Sequence, residues 1–188
     1  MARVLILYGT TDGHTRKVAE AVGGTLRGEG VKTDVVLADG HLEFSPEKYD
    51  GVIVAASVQM GRFQRSVQRW VRVHAPALNT VPTAFLAVCL AVVDKDPEAQ
   101  RQVHDIVQRF LRDSEWTPAE TRLVAGALPY RRYGWFKRWM MKRIVEKAGG
   151  DTDTTRNYVY TDWEELHRFA VQFVHRQLMA GRAMDGNP

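Results

Sequence analysis

Three threonines crowd around one glycine in the stretch GTTDGHT, residues 9–15. Thr10, Thr11 and Thr15 carry hydroxyls, Gly13 has no Cβ, and little else in the stretch suits a core. An apolar run, RVLILY (Arg3–Tyr8), precedes it, and Val18, Ala21, Val22 and Leu26 follow at helical spacing. A loop that feeds a helix offers the unpaired N–H groups of the first turn and the positive end of the helix dipole. Such a site takes a phosphate without needing a lysine. The hydroxyls would donate to phosphate oxygens, and Gly13 would let the backbone approach closely. No GxGxxG follows a strand and no GxxxxGK[ST] occurs, which disfavours a dinucleotide site and a P-loop nucleotidase. The competing account is an ordinary strand-to-helix turn capped by Thr or Asp.

The elements that would position this loop alternate. Short apolar runs at Arg3–Tyr8, Val31–Leu37, Tyr49–Ser57, Thr83–Val93 and Thr121–Leu128 read as five strands. Between them, helical spacing ends at Gly28 and Gly30, marks Val67, Trp70, Val71 and His74 before Pro76, and links Val103, Ile106, Val107, Phe110 and Leu111. Trp163, Leu166, Phe169, Ala170, Phe173 and Val174 form the apolar face of a last helix, with Asp162 as its expected N-cap and Glu165 three residues on. Strands apolar on both faces, separated by helices, imply a doubly wound α/β fold with a parallel sheet. Ligands in such folds sit beyond the carboxyl ends of the strands.

The 188 residues, 45% hydrophobic, suit a single domain spanning residues 1–188. The lone Cys89 excludes an internal disulfide, is expected in the core, and with no Cys/His cluster nearby offers no metal site. The first apolar run is too short for a signal peptide, and no stretch reaches the roughly 20 residues of a spanning helix. Charge is uneven. Residues 131–147 hold seven of the 26 Lys and Arg and one of the 22 Asp and Glu, leaving 19 against 21 elsewhere. The same region interrupts the fold: residues 129–161 form an insertion before the last helix, too long for a structureless loop. Residues 180–188 read as a flexible tail.

The first loop resembles the [ST]-x-T-G-x-T phosphate loop of flavodoxins, with Thr10, Gly13 and Thr15 at matching positions. The resemblance implies the sheet order 2-1-3-4-5 and bound FMN. It also implies flavin contacts from the loops after the third and fourth strands, here Ser57, Val58, Gln59 and Gly61, and Leu90, Ala91 and Val92. Asp12 departs from the pattern. A carboxylate facing a phosphate dianion is repelled, so Asp12 is expected to turn outward and cap the helix or contact a backbone N–H. Thr11 and His14 complete the expected cofactor loop.

The basic segment reads PYRRYGWFKRWMMKRIVEKAGG. On a helical wheel Trp135, Phe136, Trp139, Met140 and Ile144 share one arc, while Lys137, Arg138 and Lys142 lie opposite. Trp with Lys and Arg on an amphipathic helix suits a membrane interface. A helix packed on the sheet or, less well, a nucleic-acid patch would also account for it. The block AGALPYRRYGWFKRWMMKRIVEKAGGDTDT, with YTDW after it, is similar to the flavodoxin-like, quinone-dependent protoporphyrinogen IX dehydrogenases of bacterial haem synthesis. DGHTR and AASVQMGRF fit the same family, so the resemblance covers nearly the whole chain.

That likeness implies an FMN-dependent oxidoreductase that converts protoporphyrinogen IX to protoporphyrin IX in three two-electron turnovers and passes the electrons to a membrane quinone. It adds Gly126, Ala127, Leu128 and Tyr130 to the cofactor site. It assigns Arg131, Arg132, Trp135, Arg138, Trp139 and Lys142 to substrate propionates or an anionic membrane surface. The expected place is the cytoplasm, peripheral on the inner face of the inner membrane, with no nucleic-acid partner; homo-oligomer formation stays open. No catalytic residue is evident: His14 and His74 are candidates by position alone. The rival functions are a flavodoxin-type electron carrier and an NAD(P)H:quinone reductase. A flavin-free receiver module is poorly supported, because the ends of the first and third strands carry Gly9-Thr10 and Ala56-Ser57 rather than acids.

Overall fold

A computed structural model of the chain describes residues 1–39, 44–90, 96–128 and 158–179. Five parallel strands form one sheet: β1 (Arg3–Gly9), β2 (Lys32–Leu37), β3 (Gly51–Ser57), β4 (Thr83–Cys89) and β5 (Glu120–Ala125), in the order β2-β1-β3-β4-β5. This is the order the flavodoxin resemblance implies. β1 pairs with β2 on one side and β3 on the other, Ile6 lying opposite both Val35 and Ile53. The chain thus reverses direction across the sheet at β1, and the end of β1 opens at that switch point.

Helices cover both faces. Along β1 the side chains alternate: Val4, Ile6 and Tyr8 face helices α1 (His14–Gly28) and α4 (Trp163–Phe173), whereas Leu5 and Leu7 face α2 (Arg65–Leu78) and α3 (Pro97–Ser114). Both sets are buried, which is why these strands read as unbroken apolar runs instead of half-polar ones. On the α2/α3 face Phe85, Phe110, Phe63 and Trp116 pack ring against ring, with centroids 5.0–5.6 Å apart for Phe63–Phe110, Phe85–Phe110, Phe63–Phe85 and Phe85–Trp116. The Trp116 indole N–H donates to the Thr83 hydroxyl at 3.2 Å, so its one polar atom is satisfied in the core.

Helix termini follow local chemistry. Asp96 and Asp162 cap α3 and α4, accepting from the Glu98 and Glu165 N–H groups at 2.9 Å each; the second is the expected cap. α2 does not stop before Pro76 as expected but runs on to Leu78. Pro76 and Arg72, the residue four before it, are both exposed, so the helical bond that Pro76 cannot make is missing on the solvent side of the helix. The fourth strand ends at Cys89, short of Val93; residues 91–95 lie outside the described residues.

The fifth strand is also shorter than expected. It breaks at Gly126, whose N–H donates to the Cys89 carbonyl at 3.0 Å while its own carbonyl accepts from Tyr160. Beyond it β6 (Ala127–Leu128) pairs antiparallel with β7 (Tyr158–Val159), an element absent from the periodicity. The expected insertion thus leaves and returns at one place, the carboxyl end of β5. Residues 129–157 and the expected tail at 180–188 lie outside the described residues. Among the described residues no helix is long and apolar enough to cross a membrane.

The aromatic packing yields a first prediction. Trp116→Ala should lower the unfolding free energy by about 3–5 kcal/mol in urea denaturation. A loss within about 0.5 kcal/mol, the range of a surface change, would contradict the burial of this ring.

Candidate functional site

β1 delivers the chain into the Thr10–Gly13 turn, and α1 starts at His14 with Gly13 at its N-cap. Gly13 is left-handed, with φ of 84°, a conformation that favours glycine. Its N–H donates to the Thr10 Oγ1 at 2.9 Å, which closes the turn and leaves the Thr10 hydroxyl proton available. α1 has no side-chain cap, so its first N–H groups await a partner. Beneath them Thr15 is 1% exposed, and its hydroxyl has no hydrogen-bond partner among the described residues. A buried hydroxyl without a partner is costly. Here it lines a cavity of about 400 Å³.

That cavity opens at the carboxyl ends of four strands. Thr10, Asp12, His14 and Thr15 form one end. Ser57, Val58, Gln59 and Met60 come from the loop after β3, Val88, Cys89 and Leu90 from the end of β4, and Gly126 and Ala127 from the end of β5. One end is therefore polar, with the Thr10 and Thr15 hydroxyls as donors and the Asp12 carboxylate held by Gln59, and the walls toward Val58, Met60, Val88, Leu90 and Ala127 are apolar. A phosphate joined to a flat ring matches this division, and the orphaned Thr15 hydroxyl fits a phosphate oxygen.

Two glutamines tie the β3 loop to the first loop. The Gln59 Nε2 donates to Asp12 at 3.0 Å, and the Gln64 Nε2 donates to Ser57 at 2.7 Å and to Thr11 at 3.2 Å. Asp12 therefore does not cap α1. It stays at the cavity wall, because Gln59 supplies its carboxylate with a donor. Gly9 makes room for this packing: a Cβ there would meet Val67 Cγ2 at 2.5 Å and Gln64 Oε1 at 2.9 Å. Met60 and Gly61, with φ of 48° and 74°, form a tight turn closed by paired bonds between Gln59 and Arg62. Met60 is fully exposed at the cavity mouth.

His14 joins the first turn of α1 to the returning chain. The Thr161 hydroxyl donates to the Ala125 carbonyl at 2.6 Å, so it accepts from the His14 Nε2–H at 2.7 Å. Burial, and secondarily Lys17, pushes the imidazole below its ordinary 6.5. The ring is neutral at pH 7, and the donors at this end are the N–H groups and hydroxyls. Trp163, expected on the buried face of α4, is instead 42% exposed and meets His14 edge-on at 6.0 Å. The last helix starts there because the chain must turn onto α1. His74 is structural: its Nδ1–H donates to the Trp70 carbonyl at 2.9 Å, and its ring stacks on Trp70.

The structure brings ten of the expected cofactor residues to the cavity: Thr10, Asp12, His14, Thr15, Ser57, Val58, Gln59, Leu90, Gly126 and Ala127. Gly13 shapes the loop, Thr11 binds Gln64, and Gly61 holds the turn. Leu128 lies in β6. Ala91, Val92, Tyr130, Arg131, Arg132, Trp135, Arg138, Trp139 and Lys142 lie outside the described residues. Met60, Val88, Cys89 and Gln64 went unforeseen. Cys89 was expected to be core alone, and although buried it lines the cavity.

Residues 5–155 match the family described as flavodoxin domain. The chain is similar to a protein of Escherichia coli (strain K12) named protoporphyrinogen IX dehydrogenase [quinone], 38% identical over 173 residues, 92% of this chain and 95% of that one. A Leishmania major protein of the same name is 37% identical over 175 residues, 91% of this chain and 74% of that one. Among solved structures, oxidised flavodoxin 1 from Bacillus cereus matches with a TM-score of 0.58 at 16% identity, over 93% of this chain and 99% of that one. A flavodoxin from the domain Archaea matches at 0.54 and 14%, over 93% and 97%. These structural likenesses concern the fold. Matched nearly end to end by the E. coli relative, the chain belongs to the flavodoxin-domain family, among the protoporphyrinogen IX dehydrogenase [quinone] proteins.

Proposed function

We propose that the protein holds FMN in this cavity, oxidises protoporphyrinogen IX to protoporphyrin IX with it, and passes the electrons to a membrane quinone. The observation that carries this reading is the buried Thr15 hydroxyl, which has no partner among the described residues, at the start of a helix without a side-chain cap and at the head of an apolar-walled cavity. The substrate and acceptor come from the names of the relatives matched over 91–92% of the chain. Bound FMN supplies two-electron acceptance from the substrate and release to the quinone.

The chain's residues bind and orient. Thr10, Thr15 and the first-turn N–H groups of α1 hold the phosphate. Ser57, fixed by Gln64, keeps its hydroxyl proton for the ring system, while Val58, Val88 and Leu90 exclude water from it. Ala127 lies at the cavity rim and at the base of the 129–157 segment, so that segment starts and ends beside the ring site. Arg131, Arg132 and Arg138 suit two propionates by charge, and Trp135, Trp139 and Lys142 suit an anionic membrane surface. A lipid-borne acceptor suits a peripheral location, which this reading puts on the cytoplasmic face.

Turnover tests the whole reading. FMN-loaded protein, given protoporphyrinogen and a short-chain quinone under nitrogen, should yield fluorescent porphyrin with three quinones reduced per porphyrin. Quinone reduction driven by NADPH, with no porphyrin formed, would replace this reading with a quinone reductase.

Thr15→Val tests the phosphate placement separately. It removes an unpaired buried hydroxyl, so the FMN-free protein should be as stable as wild type or more so in urea denaturation. FMN affinity should fall by about tenfold or more. Undiminished affinity, or a destabilised FMN-free protein, would contradict the assignment.

A further inference from the structure

Outside the cavity, the most strongly charged face among the described residues is on α2. Arg65, Arg69 and Arg72 follow at spacings of four and three, which places them on one side of the helix. The opposite side is buried through Val67, Trp70, Val71, Ala75 and Leu78. All three arginines are exposed, as is Arg62 in the turn before the helix. The stripe covers about 10 Å of helix at 1.5 Å per residue, and Arg62 adds a fourth exposed cation in the turn that also holds Met60 at the cavity.

Two features set this face apart. Residues 51–93 contain these four arginines and no Asp or Glu, so the near-balanced charge outside residues 131–147 conceals a positive region. Glu47, Asp105 and Asp113 belong to elements packed beside α2, yet among the described residues no carboxylate pairs with any of the four arginines. Arg3, Arg16, Arg122 and Arg168 do pair, with Asp34, Glu20, Glu120 and Glu164. Arg101, Arg109 and Arg112 of α3 also lack an ion pair among the described residues but share their helix with Glu98, Asp105 and Asp113, whereas α2 carries no acid at all. Exposed apolar groups flank the stripe: Val73, 66% exposed, and Met60 at the cavity mouth.

We propose that this face of α2 is a docking surface for anionic lipid headgroups, a contact separate from the 129–157 segment. For its choice of partner the proposal rests on the membrane quinone proposed above. Arginine stems lie along an apolar boundary while their guanidinium groups reach phosphates. Val73 and Met60 supply shallow apolar contacts of the kind a headgroup layer accepts and a purely polar partner leaves unused. Docking here would set the cavity mouth, through Arg62 and Met60, against the layer that holds the acceptor.

The test is co-sedimentation of the FMN-loaded protein with vesicles of mixed phosphatidylglycerol and phosphatidylcholine. Wild type should bind, with affinity falling steeply as salt rises. The triple variant Arg65→Gln, Arg69→Gln, Arg72→Gln should bind about tenfold or more weakly, since each basic residue at an anionic surface is worth roughly a fewfold or more in partition. Its FMN affinity and its turnover with a short-chain quinone should match wild type. A second variant, Arg138→Glu with Lys142→Glu, should bind vesicles more weakly than wild type yet keep a salt-dependent remainder of binding that the three α2 substitutions then remove. If the triple variant sediments as wild type does, or wild type ignores the vesicles, the proposal falls, whatever other anionic partner the face binds. If vesicle binding behaves as stated while no porphyrin forms in the turnover assay, the docking surface stands and the proposed reaction fails.

Discussion

The first turn of α1 is left without a side-chain cap, and the site is organised around that deficit. A helix start normally satisfies one of its N–H groups with a Ser, Thr, Asp or Asn side chain. Here Gly13 occupies the cap, Thr10 turns its oxygen to the Gly13 N–H, and Thr15 buries a hydroxyl with no partner among the described residues. The Thr10–Gly13 bond fixes the shape of the empty loop, while the unpaired first-turn N–H groups and the buried Thr15 hydroxyl raise its free energy. A bound anion would recover it, because the same groups are donors converging on one point.

The sheet exists, in this view, to hold that deficit still. β1 is flanked by strands on both sides and covered on both faces, so the point where the chain leaves it at Gly9 is among the most constrained in the fold. The glutamines extend the constraint outward. Gln64 clamps Ser57 to Thr11, and Gln59 occupies Asp12, turning a carboxylate that would repel phosphate into the anchor of a neighbouring loop. On the other side, the chain from His14 through Thr161 to Ala125 fastens the loop to β5, where the 129–157 segment departs and returns.

Much of this was legible before the structure. Apolar runs covered on both faces and interleaved with helical spacing specify a parallel sheet, and hydroxyls around a glycine after the first strand suggest the anion loop proposed here. What escaped has physical causes. The break at Gly126 depends on the Cys89 carbonyl, a partner remote in sequence, so no local pattern announces it. Gln59 and Gln64 carry neither charge nor periodicity, and their role appears only when two loops meet. Pro76 reads as a helix stop because sequence shows its missing N–H but not that Pro76 and Arg72 both lie on the exposed side of α2. The arginines of α2 were hidden by summation, since acids elsewhere in the chain cancelled them in the count while, among the described residues, none pairs with them.

The claim on which the account turns is that the Thr10–Thr15 loop recognises a phosphate, and with it a mononucleotide flavin. The most direct measurement compares FMN with riboflavin, which carries the same ring without the phosphate, by quenching of flavin fluorescence on titration with the FMN-free protein. The account predicts FMN binding at least about a hundredfold tighter than riboflavin, the weight of two or more charge-assisted hydrogen bonds. Equal affinity for the two flavins would contradict it.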